Sequence, residues 1–349
     1  MIYDVLVMTS FKAALYIIRH VSEGYRVGSM FAGVGGIDIG FIDAGASIVW
    51  ANEIDPNACM TYRANFGTDA LVEADIHSID ETSVPDIDIL IGGFPCQAFS
   101  VAGYRKGFED DRGVLFLEIM RVIREKRPRC VFLENVKNLQ GHDGGRTYKV
   151  IKESLESEGY RVTEKVLNTM DYGGIPQNRE RIYIVAFHVS DDGSCPEMDS
   201  FEFPDPVPLN LGIWDILDYS DKKPEKYYYK KEHKYYPLLD ETMKNSDTVY
   251  QWRRVYVREN KSNVCPTLTA NMGGGGHNVP IVRDAFDIRK FTPRECFLFQ
   301  GFPESFILPD MADSHLYKQA GNSVSVPVIS RIAQRIVAAM ESADDYNLM

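Results

Sequence analysis

The chain has 349 residues, 44% hydrophobic and 25% charged, the composition of a soluble globular protein with length for one large or two ordinary domains. Its six cysteines, at 59, 96, 130, 195, 265 and 296, form no Cys-x-x-Cys pair and no His/Cys cluster, which argues against a zinc site and a secreted disulfide framework and for a reducing, cytoplasmic setting. A net charge of −12 disfavours a nucleic-acid partner, but between Lys222 and Ser262 eleven Lys/Arg stand against six Asp/Glu, and a Debye length of roughly 8 Å lets that basic stretch act apart from distant carboxylates.

No run reaches the ~18 apolar residues of a membrane span. The segment from Val5 to Val21 is broken by Lys12, Arg19 and His20; it is expected to form an amphipathic helix within an N-terminal extension, residues 1–24, a weak targeting signal being the alternative. Residues 25–31 then read as a strand entering Ala32-Gly33-Val34-Gly35-Gly36, with Ile37, Phe41 and Ala44 at helical spacing. Such a turn is compatible with a plain loop or with close backbone approach to a ligand. A second strand, 47–51, is followed by Glu53, where an acidic side chain can hold a ribose diol. Asp75, after a third apolar segment, is either a turn aspartate or an acceptor for an adenine amino group.

The apolar run 87–91 leads into Gly92-Gly93-Phe94-Pro95-Cys96-Gln97, so the chain leaves a sheet where a Pro-Cys pair stands. Cys96 is either a buried structural thiol or a nucleophile on a loop. Further strands at 130–133 and 181–187 alternate with helices at 115–126 and 147–158, which predicts an α/β fold: a largely parallel sheet covered on both faces, with Phe31, Glu53, Asp75, Cys96 and Glu134 along its carboxyl edge. From about residue 191, prolines and interleaved aromatic and basic residues, among them Tyr227-Tyr228-Tyr229 and Trp252-Arg253-Arg254, predict a second domain, with either a nucleic-acid surface or a solvated basic face. Helical spacing returns near Thr292, and a final helix follows Gly321-Asn322-Ser323.

Nine ordered motifs together resemble the C5-cytosine DNA methyltransferase family from residue 26 to about 340. They are Phe31 to Gly36, Asn52-Glu53, Asp75-Ile76, Gly93 to Ser100, Glu134-Asn135-Val136, Gln177 to Arg181, Thr292 to Cys296, Gln300 to Pro303 and Gly321 to Val324. The resemblance implies a Rossmann-like methyltransferase sheet with helices on both faces and a smaller, irregular target-recognition domain. Its division would be a catalytic part at 25–190, recognition at 191–288 and a return to the catalytic part at 289–349. It implies S-adenosyl-L-methionine as cofactor and no metal. Phe31 would lie against the adenine, Glu53 would take the ribose, Asp75 the adenine amine, and Gly33, Gly35 and Gly36 the methionine end. Ile54, Ile76, Pro95, Leu115 and Asn322 match further cofactor-shell positions, although some relatives carry an aromatic where Ile54 stands. The segment from Asp171 to Pro176 is one residue longer than the most compact family form.

The implied chemistry makes Cys96 the nucleophile on cytosine C6 and Glu134 the acid at N3. Arg181 would hold O2, with Arg179 supporting the same pocket. An ordinary thiol is only roughly 3% ionised at pH 7, so Cys96 needs a lowered pKa or proton transfer to a neighbour. The target base must leave the duplex; Gln97 would fill its place, Ser100 and Arg112 would take phosphates, and Arg253, Arg254, Arg258 and Thr269 would meet DNA in the recognition domain. Double-stranded DNA is thus the expected partner of a monomeric enzyme, with a cognate restriction endonuclease acting separately. The rivals are a tRNA-directed enzyme of the same fold, whose Cys-Phe-Thr signature is absent, and a DNA-binding relative without catalysis.

Overall fold

The computed structural model describes residues 24–94, 114–253, 256–260, 263–274 and 278–348. The strands are β1 Arg26–Met30, β2 Ser47–Glu53, β3 Leu71–Glu73, β4 Ile89–Gly93, β5 Cys130–Val136, β6 Tyr160–Asn168, β7 Gln177–Asn178, β8 Glu180–His188, β9 Tyr250–Arg253, β10 Tyr256–Glu259, β11 Cys265–Pro266, β12 Ile281–Arg283 and β13 Ile288–Lys290. The α-helices are α1 Gly36–Asp43, α2 Pro56–Phe66, α3 Val114–Lys126, α4 Arg146–Ser157, α5 Thr169–Tyr172, α6 Pro196–Ser200, α7 Tyr236–Thr242, α8 Pro293–Phe299, α9 Asp313–Asn322 and α10 Val326–Leu348.

Seven strands form the main sheet in the order β3-β2-β1-β4-β5-β8-β6. Residues 89–91 of β4 and 130–133 of β5 are all fully buried, as continuous apolar runs are when helices cover both faces of a sheet. On one face Ile37 and Phe41 of α1 meet Ile329, Ile332 and Ile336 of α10. On the other, Ile119 and Ile123 of α3 pack with Ile151 and Leu155 of α4. Helix starts follow local chemistry: Asp55 caps α2, accepting from Asn57 N, with Pro56 at the first position, and Thr292 and Glu295 form a capping box at α8.

Pairing is parallel from β3 through β5, but β8 runs antiparallel to both β5 and β6. That reversal brings the start of β8 to the same edge as the carboxyl end of β5, with Arg181 opposite Val136 and Tyr183 opposite Glu134. Strand β6 escapes the sequence pattern: it is an outer strand whose Arg161, Glu164 and Lys165 break the apolar run, as edge strands do.

The smaller lobe holds an antiparallel sheet, β10-β9-β12-β13, with Leu239 of α7 and Met243 just after it packed on the sheet. Its last strand begins at residue 288, and the joint to α8 is fixed by a buried ion cluster: Arg289 Nε lies 2.5 Å from Asp284, and its terminal nitrogens lie 2.9 Å from both Glu295 oxygens. The lobes share an apolar cluster in which Val249, Cys265 and Leu268 meet Phe297, Phe302 and Tyr317.

Candidate active site

At the tip of β1 the backbone turns through left-handed conformations: Phe31 at φ 55°, Gly33 at φ 58° and Gly35 at φ 83°. Glycine makes two of these three inexpensive. The turn is held by Ala32 N donating to Asn52 O at 2.9 Å and Gly33 N donating to Glu53 Oε2 at 2.8 Å. Glu53 Oε1 accepts from Ile54 N and Asp55 N, at 2.9 and 2.8 Å. A carboxylate held by three amides is fixed in place while its remaining lone pairs stay available. Asn52 ties β2 to β3 through the Val72 and Ala74 carbonyls.

Phe31 and Leu115 are half-buried and pack on the apolar cluster that contains buried Ile76. Ile54, next to Glu53 in the chain, is an apolar side chain that is 61% exposed. Asp75 accepts from His77 N at 3.1 Å and meets His77 Nδ1 at 2.6 Å; the His77 amide and ring hold its carboxyl below the usual range. His77 was not singled out from the sequence, and it occupies one oxygen of the expected adenine acceptor. Asn322 is exposed at the end of α9, and Ser323 next to it lies against Gly36, where an added Cβ would come 2.5 Å from Ser323 Oγ.

The second part of the site is one strand further along. Gly93 pairs with Glu134, and Asn135 Nδ2 donates to Phe94 O at 2.8 Å, pinning the chain as it leaves β4. Pro95, Cys96, Gln97, Ser100 and Arg112 lie outside the described residues. Glu134 is buried; burial pushes its pKa up, opposed by the Arg181 and Arg179 guanidinium groups. Arg181 Nε approaches Glu134 Oε1 at 3.1 Å in poor hydrogen-bond alignment, and that oxygen is buried with no directed donor.

Arg179 is 2% exposed; its charge acts on Glu134 and Arg181, while its terminal groups turn to main-chain carbonyls. Nη1 donates to Leu268 O at 2.8 Å and Nη2 to Ser323 O, while Nε is buried without a partner. Burial and the neighbouring Arg181 push its pKa down to about 9, which still leaves it cationic at neutral pH. Gln177 works beside it, donating to Phe299 O at 2.5 Å. The carbonyl targets of these side chains come from distant segments, so the sequence carried no sign of them. Among the described residues no group of three His, Cys, Asp or Glu side chains is placed to hold a metal ion.

In the smaller lobe Gln251, Arg253, Tyr256 and Arg258 share one face of the β9–β10 hairpin, by their register. Both arginines donate to Gln251 Oε1 at 3.0 Å, neither has a carboxylate partner among the described residues, and Tyr256 is 54% exposed. Arg254 lies outside the described residues. Thr269 is exposed, and its backbone crosses Gly321 so closely that a Cβ there would lie 2.1 Å from the Thr269 carbonyl carbon.

A family model described as C-5 cytosine-specific DNA methylase matches residues 25–338. The chain is 57% identical over 318 residues to the Type II methyltransferase M.Bsp6I of Bacillus sp. (strain RFL6), covering 90% of this chain and 99% of that one. It is 41% identical to M.SsoII of Shigella sonnei, covering 91% and 81%. Among solved structures, the S. pombe Dnmt2 methyltransferase superposes with a TM-score of 0.69 at 23% identity, covering 91% and 99%, a likeness of fold alone.

Proposed function

The chain belongs to the C-5 cytosine-specific DNA methylase family, and from that premise we propose how its own residues carry out the methylation of cytosine in DNA. The protein is a DNA cytosine-5 methyltransferase; the residue roles, the cofactor contacts and the order of events are what is proposed. The observation that carries them is Glu134: a buried carboxyl, raised in pKa, with one oxygen lacking a directed donor, beside Arg181 and next to the strand end that leads to Cys96.

The first cleft suits the adenosine of S-adenosyl-L-methionine. Glu53, fixed by three amides, faces outward for the ribose hydroxyls, and Phe31, Ile54 and Leu115 offer apolar surface to a purine. Asp75 and Asn322 complete the rim, and the Gly33–Gly36 turn borders the methionine end. When bound, this cofactor supplies the methyl group that cytosine C5 accepts.

Cytosine C5 is a weak nucleophile. Addition of the Cys96 thiolate to C6 places electron density on the ring, and the same density raises the basicity of N3, where Glu134 holds a proton in place. Cys96 follows Phe94 by two residues, so the covalent chain keeps its Cα within about 7 Å of the Phe94 Cα. Arg181 holds Glu134 and offers its remaining donors to the O2 edge. Once C5 carries the methyl group, its proton passes to a base, water or a side chain, and the electron pair it leaves re-forms the C5–C6 double bond and expels the Cys96 thiolate. The target base reaches these groups only after leaving the duplex stack, at a cost of a few kcal/mol. Gln97 fills the vacated position, and Ser100 and Arg112 bind backbone phosphates.

The hairpin face with Arg253 and Arg258, together with Thr269, forms the DNA-reading surface. The relatives named Type II methyltransferases support a role beside a separate restriction endonuclease. None of the described helices is long and apolar enough to cross a membrane. Incubation with a labelled methyl donor and either duplex DNA or transfer RNA tests the substrate: 5-methylcytosine at a fixed site in duplex DNA is expected, and label in transfer RNA alone would overturn the reading.

A further inference from the structure

A buried guanidinium is costly unless its donors are well met, and Arg179 meets only main-chain carbonyls. One of them, Leu268 O, belongs to the segment just before Thr269. The other, Ser323 O, adjoins Asn322 at the rim of the cofactor cleft. The two segments also touch directly, with the Thr269 backbone packed on Gly321. From the other side, Gln177 donates to Phe299 O, its side-chain carbonyl accepts from Leu268 N at 3.4 Å, and the short β7–β11 pair joins Gln177 to Cys265. Among the described residues Arg179 is the one side chain that hydrogen-bonds both the Leu268 and the Ser323 carbonyl, and it stands two residues from Arg181. Its rigid fork suits two carbonyls at once, which a lysine ammonium does less well.

We propose that Arg179 is a positioning residue that couples the two binding sites: cofactor seated against Asn322–Ser323 and DNA seated on the Leu268–Thr269 segment each fix one of the carbonyls that the same guanidinium holds, so that each ligand tightens the other. This rests on the methyltransferase reading above. Linkage requires the coupling to be reciprocal, and coupling of this kind is typically about 5- to 150-fold.

The test measures binding without turnover. Affinity for S-adenosylhomocysteine is determined by calorimetry with and without a duplex carrying the mapped target site, and duplex affinity with and without S-adenosylhomocysteine, at fixed salt. The wild-type protein should give the same factor both ways, of order tenfold. Arg179→Met should bring that factor to near one, and Arg179→Lys, which keeps the charge and the stem, to an intermediate value. Loss of stability alone would lower both affinities and, because either ligand restores the fold for the other, would raise the factor, so a factor that falls separates coupling from a structural role. Should the methionine variant not fold, the lysine variant carries the test. A wild-type factor of one, or a wild-type factor retained by the folded variant, overturns the proposal. A wild-type protein that binds neither ligand would instead count against the methyltransferase reading itself.

Discussion

Glu134 and Asp38 are both carboxyl groups that burial pushes up in pKa, in different surroundings. Glu134 stands among cations at a strand end, where the proposed mechanism has it share a retained proton with an electron-rich ring. Glu134→Gln keeps the shape and removes the acid, so single-turnover methylation should fall by roughly 10²- to 10⁴-fold while the duplex still binds in an anisotropy titration; a loss of less than tenfold would remove Glu134 from the chemistry. Asp38, buried in α1, accepts from Ser29 Oγ at 3.0 Å and Tyr62 OH at 2.8 Å, and burial pushes it up to about 6 despite those hydroxyls. Because the folded pKa lies above the unfolded one, its contribution to stability is complete below about pH 4 and is lost as pH rises through about 6. Asp38→Asn should therefore stabilise the protein more at pH 8 than at pH 5, by a difference on the order of 1 kcal/mol. Equal melting shifts at the two pH values would contradict that assignment.

Among the elements, the β9–β10 hairpin has the most direct consequence for DNA. Its outward face carries Arg253, Tyr256 and Arg258 around Gln251, and the two arginines, without carboxylate partners among the described residues, are the cations proposed to meet phosphates or guanine edges. Arg253→Gln and Arg258→Gln should each weaken duplex binding and, for a phosphate contact, reduce the slope of log affinity against log salt by about 1. Unchanged affinity and slope in both variants would place the DNA elsewhere. The elements also show what sequence pattern could reach. The glycine turn, the strand tips at Glu53 and Glu134 and the two helices after β4 and β5 followed from periodicity and residue type. The strands of the smaller sheet did not, because they are three or four residues long and their register is decided by partners far away in the chain. Strand β6 was missed for its charged, outer character.

At the scale of the whole molecule, the reversed strand β8 makes the site possible: it returns Arg181 to the edge where β5 ends, so that Glu134, Arg181 and the exit toward Cys96 meet. The family motifs pointed to these residues, and the pattern of alternating strands and helices placed most of them on one edge. What the pattern could not supply was the network that joins the lobes, the Arg179 carbonyl contacts and the Arg289 ion cluster. Each links residues dozens of positions apart or depends on an atom-level fit. The most direct test of the central claim, addition of Cys96 to a cytosine presented to Glu134 and Arg181, is the intact mass of the protein after incubation with S-adenosyl-L-methionine and a duplex carrying 5-fluorocytosine at the target position. Fluorine cannot leave as a proton does, so the wild-type protein should appear as a stable covalent complex with the methylated strand and Cys96→Ala should give none. An active wild-type enzyme that forms no such complex, or an adduct that persists in Cys96→Ala, would contradict it.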